Sequence, residues 1–379
     1  VILTRGARVT GAVLSAVLAA MVLAWIVRDI RAVGDPLDLL RYWAGYTDTR
    51  PKALPATLSA DPVLLVVYVC AFFAALRSSV AAAALVATGL VTVALRLPGV
   101  WTVGASWTDA RYGDELRTRA LLGTFVALAA GLALIITGAA GRRRPTDSYE
   151  PLPTRPGRAA GVTVFVVLGI SGAVVIAWEV RQFLTLPSVL YPDWFIGGRV
   201  VSLGLTAAPP GWSSAVLAVV CLVVAWTALF RAVHARPLGM IAAAFLLVSG
   251  AAGIARAFHH RVIDRIGDLG TEQQLMVLTS FLFALAGAVA LPALARRGFE
   301  DVERPPQDDR GYGYPHTGEP GYGYPRPDTP GYGYPQSGGQ GYGYPRSGSP
   351  GYGYPQSGYP QSGGSPGSPP PPASPPPGW

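Results

Sequence analysis

Lysine is almost missing from this chain, with Lys52 its single example. Charge of either sign is scarce: Asp, Glu, Lys and Arg make up 14% of residues, against roughly 25% in ordinary soluble domains. Cysteine is limited to Cys70 and Cys221, each inside an apolar run. Two separated thiols make no CxxC redox pair, haem-attachment motif or zinc cluster, and in such runs they behave as small hydrophobes. Strict apolar–polar alternation is lacking too, which removes a membrane β-barrel. Glycine is plentiful but never sits in a GxxxxGK[ST] loop or a strand–GxGxxG–helix setting, and no serine elbow occurs. The chain carries no recognised catalytic signature.

What it has is apolar sequence, 50% of all residues, gathered in long runs. These lie at about 9–27, 62–76, 80–97, 120–140, 161–178, 214–233, 238–256 and 274–295. About 20 helical residues cross a 30 Å hydrocarbon core, so each run reads as a membrane span. Helices are the expected form, because lipid offers no partner to an open backbone. The 62–76 run is short, and spans only if Pro62 opens its helix and Arg77 snorkels from its end. The 9–27 run follows Arg5 and Arg8 as a secretory signal would. It is longer than an ordinary signal core and shows no small-x-small site after Trp25, so it is expected to remain as the first span.

The eight runs read as two copies of one four-span unit. Trp25-Ile26-Val27-Arg28 closes a run in the first copy, and Trp178-Glu179-Val180-Arg181 does so in the second. Cys70 and Cys221 lie in the second spans, and Arg96 and Arg256 end the third. Arg111-Tyr112-Gly113-Asp114 precedes one fourth span, and Arg265-Ile266-Gly267-Asp268 the other. The matches keep their order and fall about 151 to 160 residues apart, which duplication explains more simply than chance. The expected organisation is a four-span repeat at 1–144, a basic, proline-rich linker at 145–160, a second four-span repeat at 161–297 and a tail at 298–379.

Arginine sets the orientation. Arg142-Arg143-Arg144, Arg231 with Arg236, and Arg296 with Arg297 lie just beyond the fourth, sixth and eighth spans. Basic residues close to span ends stay inside, which places both termini and the linker in the cytoplasm of a plasma-membrane protein. An even number of spans per copy makes the copies like-oriented, related by an axis along the membrane normal. The net charge of +8 is spread over span ends rather than drawn into one stripe, so it reads as membrane flanking and not as a nucleic-acid surface. Arginine in place of lysine, with abundant alanine, valine, glycine and proline, is the usage of a GC-rich bacterial genome.

Away from their edges the spans hold no Asp, Glu, Lys, Arg or His, which argues against proton- or cation-coupled transport. Stretches such as Ser249-Gly250-Ala251-Ala252-Gly253 fit close helix packing. The outer loops carry Tyr42, Trp43, Tyr46, Tyr191, Trp194, Phe195 and Trp212, either as headgroup-level anchors or as a binding surface. The outer ends of the third and fourth spans hold the candidate site. It comprises Arg96, Arg111 and Asp114 in the first copy, and Arg256, His260, Asp264, Arg265 and Asp268 in the second. If helical, His260 and Asp264 face alike, as do Arg111 and Glu115. A functional reading gives an outward site for an anionic headgroup, or in the second copy a metal or acid–base pair. A structural reading gives ion-paired helix extensions, with Arg111 and Asp114, and Arg265 and Asp268, in electrostatic pairs. His259-His260 lacks a third ligand at a recognised spacing, so neither metal nor cofactor is expected, and the set points away from an enzyme.

After Arg297 the composition changes. GYGYP recurs with a ten-residue period from Gly311 to Gly351, ahead of a Ser/Gly/Pro terminus. With few aliphatic residues to bury, 298–379 is expected to be disordered. The tyrosine pairs Tyr312 and Tyr314, Tyr322 and Tyr324, Tyr332 and Tyr334, Tyr342 and Tyr344, and Tyr352 and Tyr354 are candidate stickers for multivalent contact with a protein. A solubilising appendage explains the same composition.

The expected protein is therefore all-α and polytopic: eight transmembrane helices as two tandem like-oriented four-helix repeats, plus a disordered C-terminal tail. Its general architecture and tail composition look like those of multi-pass proteins of high-GC Gram-positive bacteria, a likeness that carries no functional residues. The leading functional expectation is a non-enzymatic envelope scaffold or recruitment platform. Its partners would be the lipid bilayer and a protein captured by the tail. The alternative is a transporter or lipid-handling protein with an outward-facing anion-binding site between the repeats.

Overall fold

The computed structural model of the chain describes residues 2–46, 53–109, 111–143, 153–199, 201, 204–296 and the backbone of 299–300. The tyrosine repeats of the tail lie outside these residues. Helix α1 (Arg5–Val33) opens on Thr4, whose hydroxyl accepts from the Ala7 N–H, and ends at Gly34, left-handed at φ 90°. With no proline or glycine to stop it after Trp25, the helix runs on past the apolar segment and takes Arg28, Asp29 and Arg31 into its last turns. The short amphipathic α2 (Pro36–Ala44) is capped by Asp35, started by Pro36 and closed by Gly45 at φ 79°.

Three further long helices complete the first half: α3 (Ala60–Arg77), α4 (Ala81–Arg96), prolonged by the single turn α5 (Gly99–Thr102), and α6 (Asp114–Ala140). The second half comprises α7 (Arg158–Thr185), the short α8 (Leu190–Ile196), α9 (Pro210–Leu229), α10 (Ala235–His259) and α11 (Thr271–Ala295). Eight of these helices are long and apolar enough to cross a membrane, the mark of a multi-pass membrane protein. Several outrun their apolar segments because polar end turns pair along the helix, as Glu115 does with Arg119 on α6.

The same pairing plan appears in each half. In the first, α1 packs on α3, α4 on α6, α3 on α4, and α1 on α6; in the second, α7 packs on α9, α10 on α11, α9 on α10, and α7 on α11. Two-residue strands add a feature too short to leave a period-two signal in the sequence. Strand β1 (Ile2–Leu3), ahead of α1, pairs antiparallel with β2 (Arg142–Arg143), behind α6. Strand β3 (Thr154–Arg155), ahead of α7, pairs antiparallel with β4 (Phe299–Glu300), behind α11. These strands lie on what we term the terminal face, and the opposite side is the loop face.

Small residues bring the helices together, since lipid supplies no hydrophobic drive between them. A Cβ on Gly89 of α4 would overlap the Gly131 carbonyl of α6, and one on Gly250 of α10 would overlap the Ala284 backbone of α11. One buried core runs through both halves, with Leu18, Tyr68, Leu85 and Leu134 from the first and Leu168, Cys221, Leu246 and Leu294 from the second. Cys221 is buried and Cys70 exposed, so the two thiols occupy different environments despite their matched places in the sequence.

Candidate functional site

At the loop face the start of α3 lies beside the end of α4, and this sets one carboxylate against one guanidinium. Asp61 Oδ1 accepts from Arg96 Nη2 at 2.6 Å, with Asp61 2% and Arg96 8% exposed. Asp61 Oδ2 accepts from the Leu58 N–H at 2.9 Å and lies 3.0 Å from the Thr206 hydroxyl. That hydroxyl is also 3.0 Å from the Ala56 carbonyl, to which the Thr206 N–H donates at 3.0 Å. Arg96 Nη1 donates to the Thr206 carbonyl. Deeper in, the Tyr68 and Thr92 hydroxyls meet at 3.0 Å. Thr206 belongs to the loop entering α9, so a buried ion pair of the first half grips the second.

A second buried carboxylate braces the neighbouring loop. Asp29, fully buried, accepts from Arg28 Nη1 at 2.7 Å and from the N–H and hydroxyl of Thr57 at 2.7 and 2.6 Å. Trp43 Nε1 donates to the Thr57 carbonyl at 3.3 Å, and the Tyr112 hydroxyl to the Pro55 carbonyl at 3.2 Å. Burial pushes the Tyr112 phenol up to about 12. The Tyr42 phenol is also raised, by burial first and then by the Asp29 charge.

Between the halves lies a cavity of about 300 Å³. It is walled by Val63 of α3, Val91 and Leu95 of α4, Leu217 and Val220 of α9, and Ile241, Ala242, Phe245 and Val248 of α10. Its loop-face end carries Ser59, Ser213 and Ser214, with Ser249 on α10. The loop residues Leu58, Ala207 and Ala208 adjoin this end, so the network of Asp61, Arg96 and Thr206 fastens the cavity's edge. From Ser213 to Val220 the helical rise carries the cavity about 10 Å from its polar end into aliphatic surroundings.

The candidate residues read from the sequence do not form one site. Arg96 is committed to Asp61 and turned inward. Arg111 precedes α6 rather than lying on it, so it does not share a helix face with Glu115; it donates to the Arg199 and Val201 carbonyls at 3.3 and 3.5 Å. Asp114 is exposed and pairs with Arg117 at 3.3 Å, not with Arg111. His260 and Asp264 do not share a helix face, because α10 ends at His259 and Arg261 turns to φ 52° before a 3-10 turn at Ile263–Asp268. No ion pair joins Arg265 to Asp268 among the described residues. Arg256 reaches the first half, donating to the Ala44 carbonyl at 2.9 Å, while Tyr46 stacks on His259 at 4.0 Å. Among the described residues no three His, Cys, Asp or Glu side chains converge to hold a metal ion.

The loop aromatics lace the protein together. Trp212 Nε1 donates to the Ala94 carbonyl at 2.7 Å and Trp101 Nε1 to the Ile196 carbonyl at 2.8 Å, both between halves. Trp194 Nε1 donates to Glu179 at 3.2 Å. The sequence reading missed Asp29, Thr57, Asp61, Thr206 and the serines. Asp29 follows Arg28 just past the first apolar run, where its burial in α1 leaves no mark in the sequence. One signal was available: Asp61 opens the second span and Arg96 closes the third, which puts both at one depth on adjacent helices. Comparison with protein-family models, with characterised proteins and with solved structures finds no match.

Proposed function

We propose that this chain is a lipid-handling membrane protein which holds a ligand with an apolar chain between two like-oriented four-helix repeats. The observation that carries this reading is the cavity of about 300 Å³ lined by α3 and α4 from one half and α9 and α10 from the other. Those are the second and third spans of each half, and sites at a repeat interface near the bilayer midplane are a recurring arrangement in duplicated membrane proteins. The volume lies at the lower end of ligand pockets, and the walls are aliphatic apart from serines at one end. Arg96, already neutralised by Asp61, does not serve an anion here.

The test uses a photoactivatable, click-tagged long-chain probe added to membranes holding the full chain. Crosslinks are expected on Val63, Val220 and Ala242, and Ala242→Phe should remove them. Labelling confined to surface-facing positions such as Val219 and Val223, and unchanged in the variant, overturns the reading.

The membrane is proposed to be the plasma membrane, with the terminal face in the cytoplasm, because Arg142, Arg143, Arg231, Arg236 and Arg296 flank that face. Labelling of a cysteine placed at Thr146 by an impermeant reagent on intact cells would reverse this orientation. A second reading, a recruitment platform, is favoured by the ten-residue period of GYGYP, since linked weak sites raise effective concentration. It requires localisation or partner capture to weaken progressively as the tyrosine pairs become serine. Full function after truncation at Gly298 removes it.

A further inference from the structure

Building on the cavity reading, we infer that the ligand is a neutral, single-chain lipid with a hydroxyl-bearing head, such as a monoacylglycerol or a long-chain alcohol. The first ground is charge. No residue lining the cavity is ionisable. The charges that adjoin it in sequence, Asp61 after Ser59 and Ala60, and Arg96 after Leu95, are bonded to each other and to Thr206. An anionic head would find no free cation, and a cationic head no free carboxylate, while either would lose its hydration. The helix starts at this end do not reverse that conclusion. Asp61 sits in the first turn of α3, and α9 opens with Pro209-Pro210, which lack backbone N–H groups.

The second ground is the hydroxyls. Ser15, Thr124, Ser171 and Ser280, elsewhere in the spans, donate to the carbonyl four residues back. Ser59, Ser214 and Ser249, which line the cavity, make no side-chain hydrogen bond to another described residue, and Ser213 makes only a long one, 3.5 Å to the Ala208 carbonyl. A hydroxyl both donates and accepts, so an uncharged polyol or alcohol head can satisfy several of them at once. The third ground is size. At about 300 Å³ the cavity lies at the lower end of ligand pockets, which favours one chain over two.

The test is competition for a photoactivatable monoacylglycerol probe on the full chain in detergent micelles. Unlabelled competitors of one chain length are a monoacylglycerol, a fatty alcohol, a fatty acid and a lysophosphatidate. The two neutral lipids should compete at concentrations at least about tenfold lower than the two anions. The double change Ser214→Ala with Ser249→Ala should narrow that gap to within about threefold while probe uptake persists. Equal or better competition by either anion overturns the headgroup inference and leaves the cavity reading standing. Labelling that survives both Ala242→Phe and Leu217→Trp overturns the cavity reading itself.

Discussion

The two halves fold helix against helix in the same pairs, yet they treat charge at the loop face in opposite ways. The first half buries it: Asp29, Asp61 and Arg96 are all inside, each held by neighbouring loops. Among the described residues the second half has no counterpart. Gln182 follows Arg181 where Asp29 follows Arg28, α9 opens on Pro210-Gly211-Trp212 with no carboxylate, and Arg256 is exposed at the end of α10. The second half instead leans on the first, through Thr206 to Asp61 and Arg96, Trp212 to Ala94, and Arg256 to Ala44. A shared packing plan therefore leaves the loop ends free to differ. The difference makes one half a socket and the other its plug, with the cavity beneath their junction.

The largest break in this comparison should come from the socket. Removing one partner of a buried ion pair strands the other, at a cost of about 3–5 kcal/mol. Asp61→Ala should destabilise the full chain by that amount in detergent unfolding. Arg256→Ala, at the matched place in the sequence, removes an exposed hydrogen bond and should cost about 0.5–1.5 kcal/mol. Equal losses would erase the distinction between the halves.

The shared plan is tested at its close helix crossings. Gly89→Val and Gly250→Val each force a side chain into a neighbouring backbone, and overpacking of this kind costs about 1–3 kcal/mol. The two should behave alike, because α4 with α6 and α10 with α11 are the same pair in the plan. A large effect in one half alone contradicts a common plan. The smallest effects belong to the exposed acids: Asp114→Ala and Asp268→Ala should leave abundance and unfolding temperature unchanged. Loss of a cellular activity at normal abundance in either variant would instead make that position part of a site.

Much of the fold was legible because lipid imposes it. Runs of about 20 apolar residues admit little but a spanning helix, so α1, α6 and α11 could be read directly. Their ends could not, because Thr4, Gly34 and Gly270 set the caps while the apolar signal had already faded. The candidate site was far less legible. Asp29 meets Thr57, and Asp61 meets Thr206, through loops whose path no periodicity encodes, and burial of a carboxylate at a span end looks in sequence like exposure. The serines at 59, 213, 214 and 249 carry no motif, and acquire meaning only when four helices bring them to one cavity. The repeated Trp, Cys and Arg positions pointed to a common plan but not to common environments, as exposed Cys70 and buried Cys221 demonstrate.

Native mass spectrometry of the full chain released from its membrane asks most directly whether the junction of the two halves holds a ligand. One neutral single-chain lipid should be retained per chain in the wild type and in Asp114→Ala, and be absent from Ala242→Phe and from Leu217→Trp where these remain folded. A wild type without such an adduct, or an adduct retained equally by both cavity-filling variants, would contradict a ligand held at that junction.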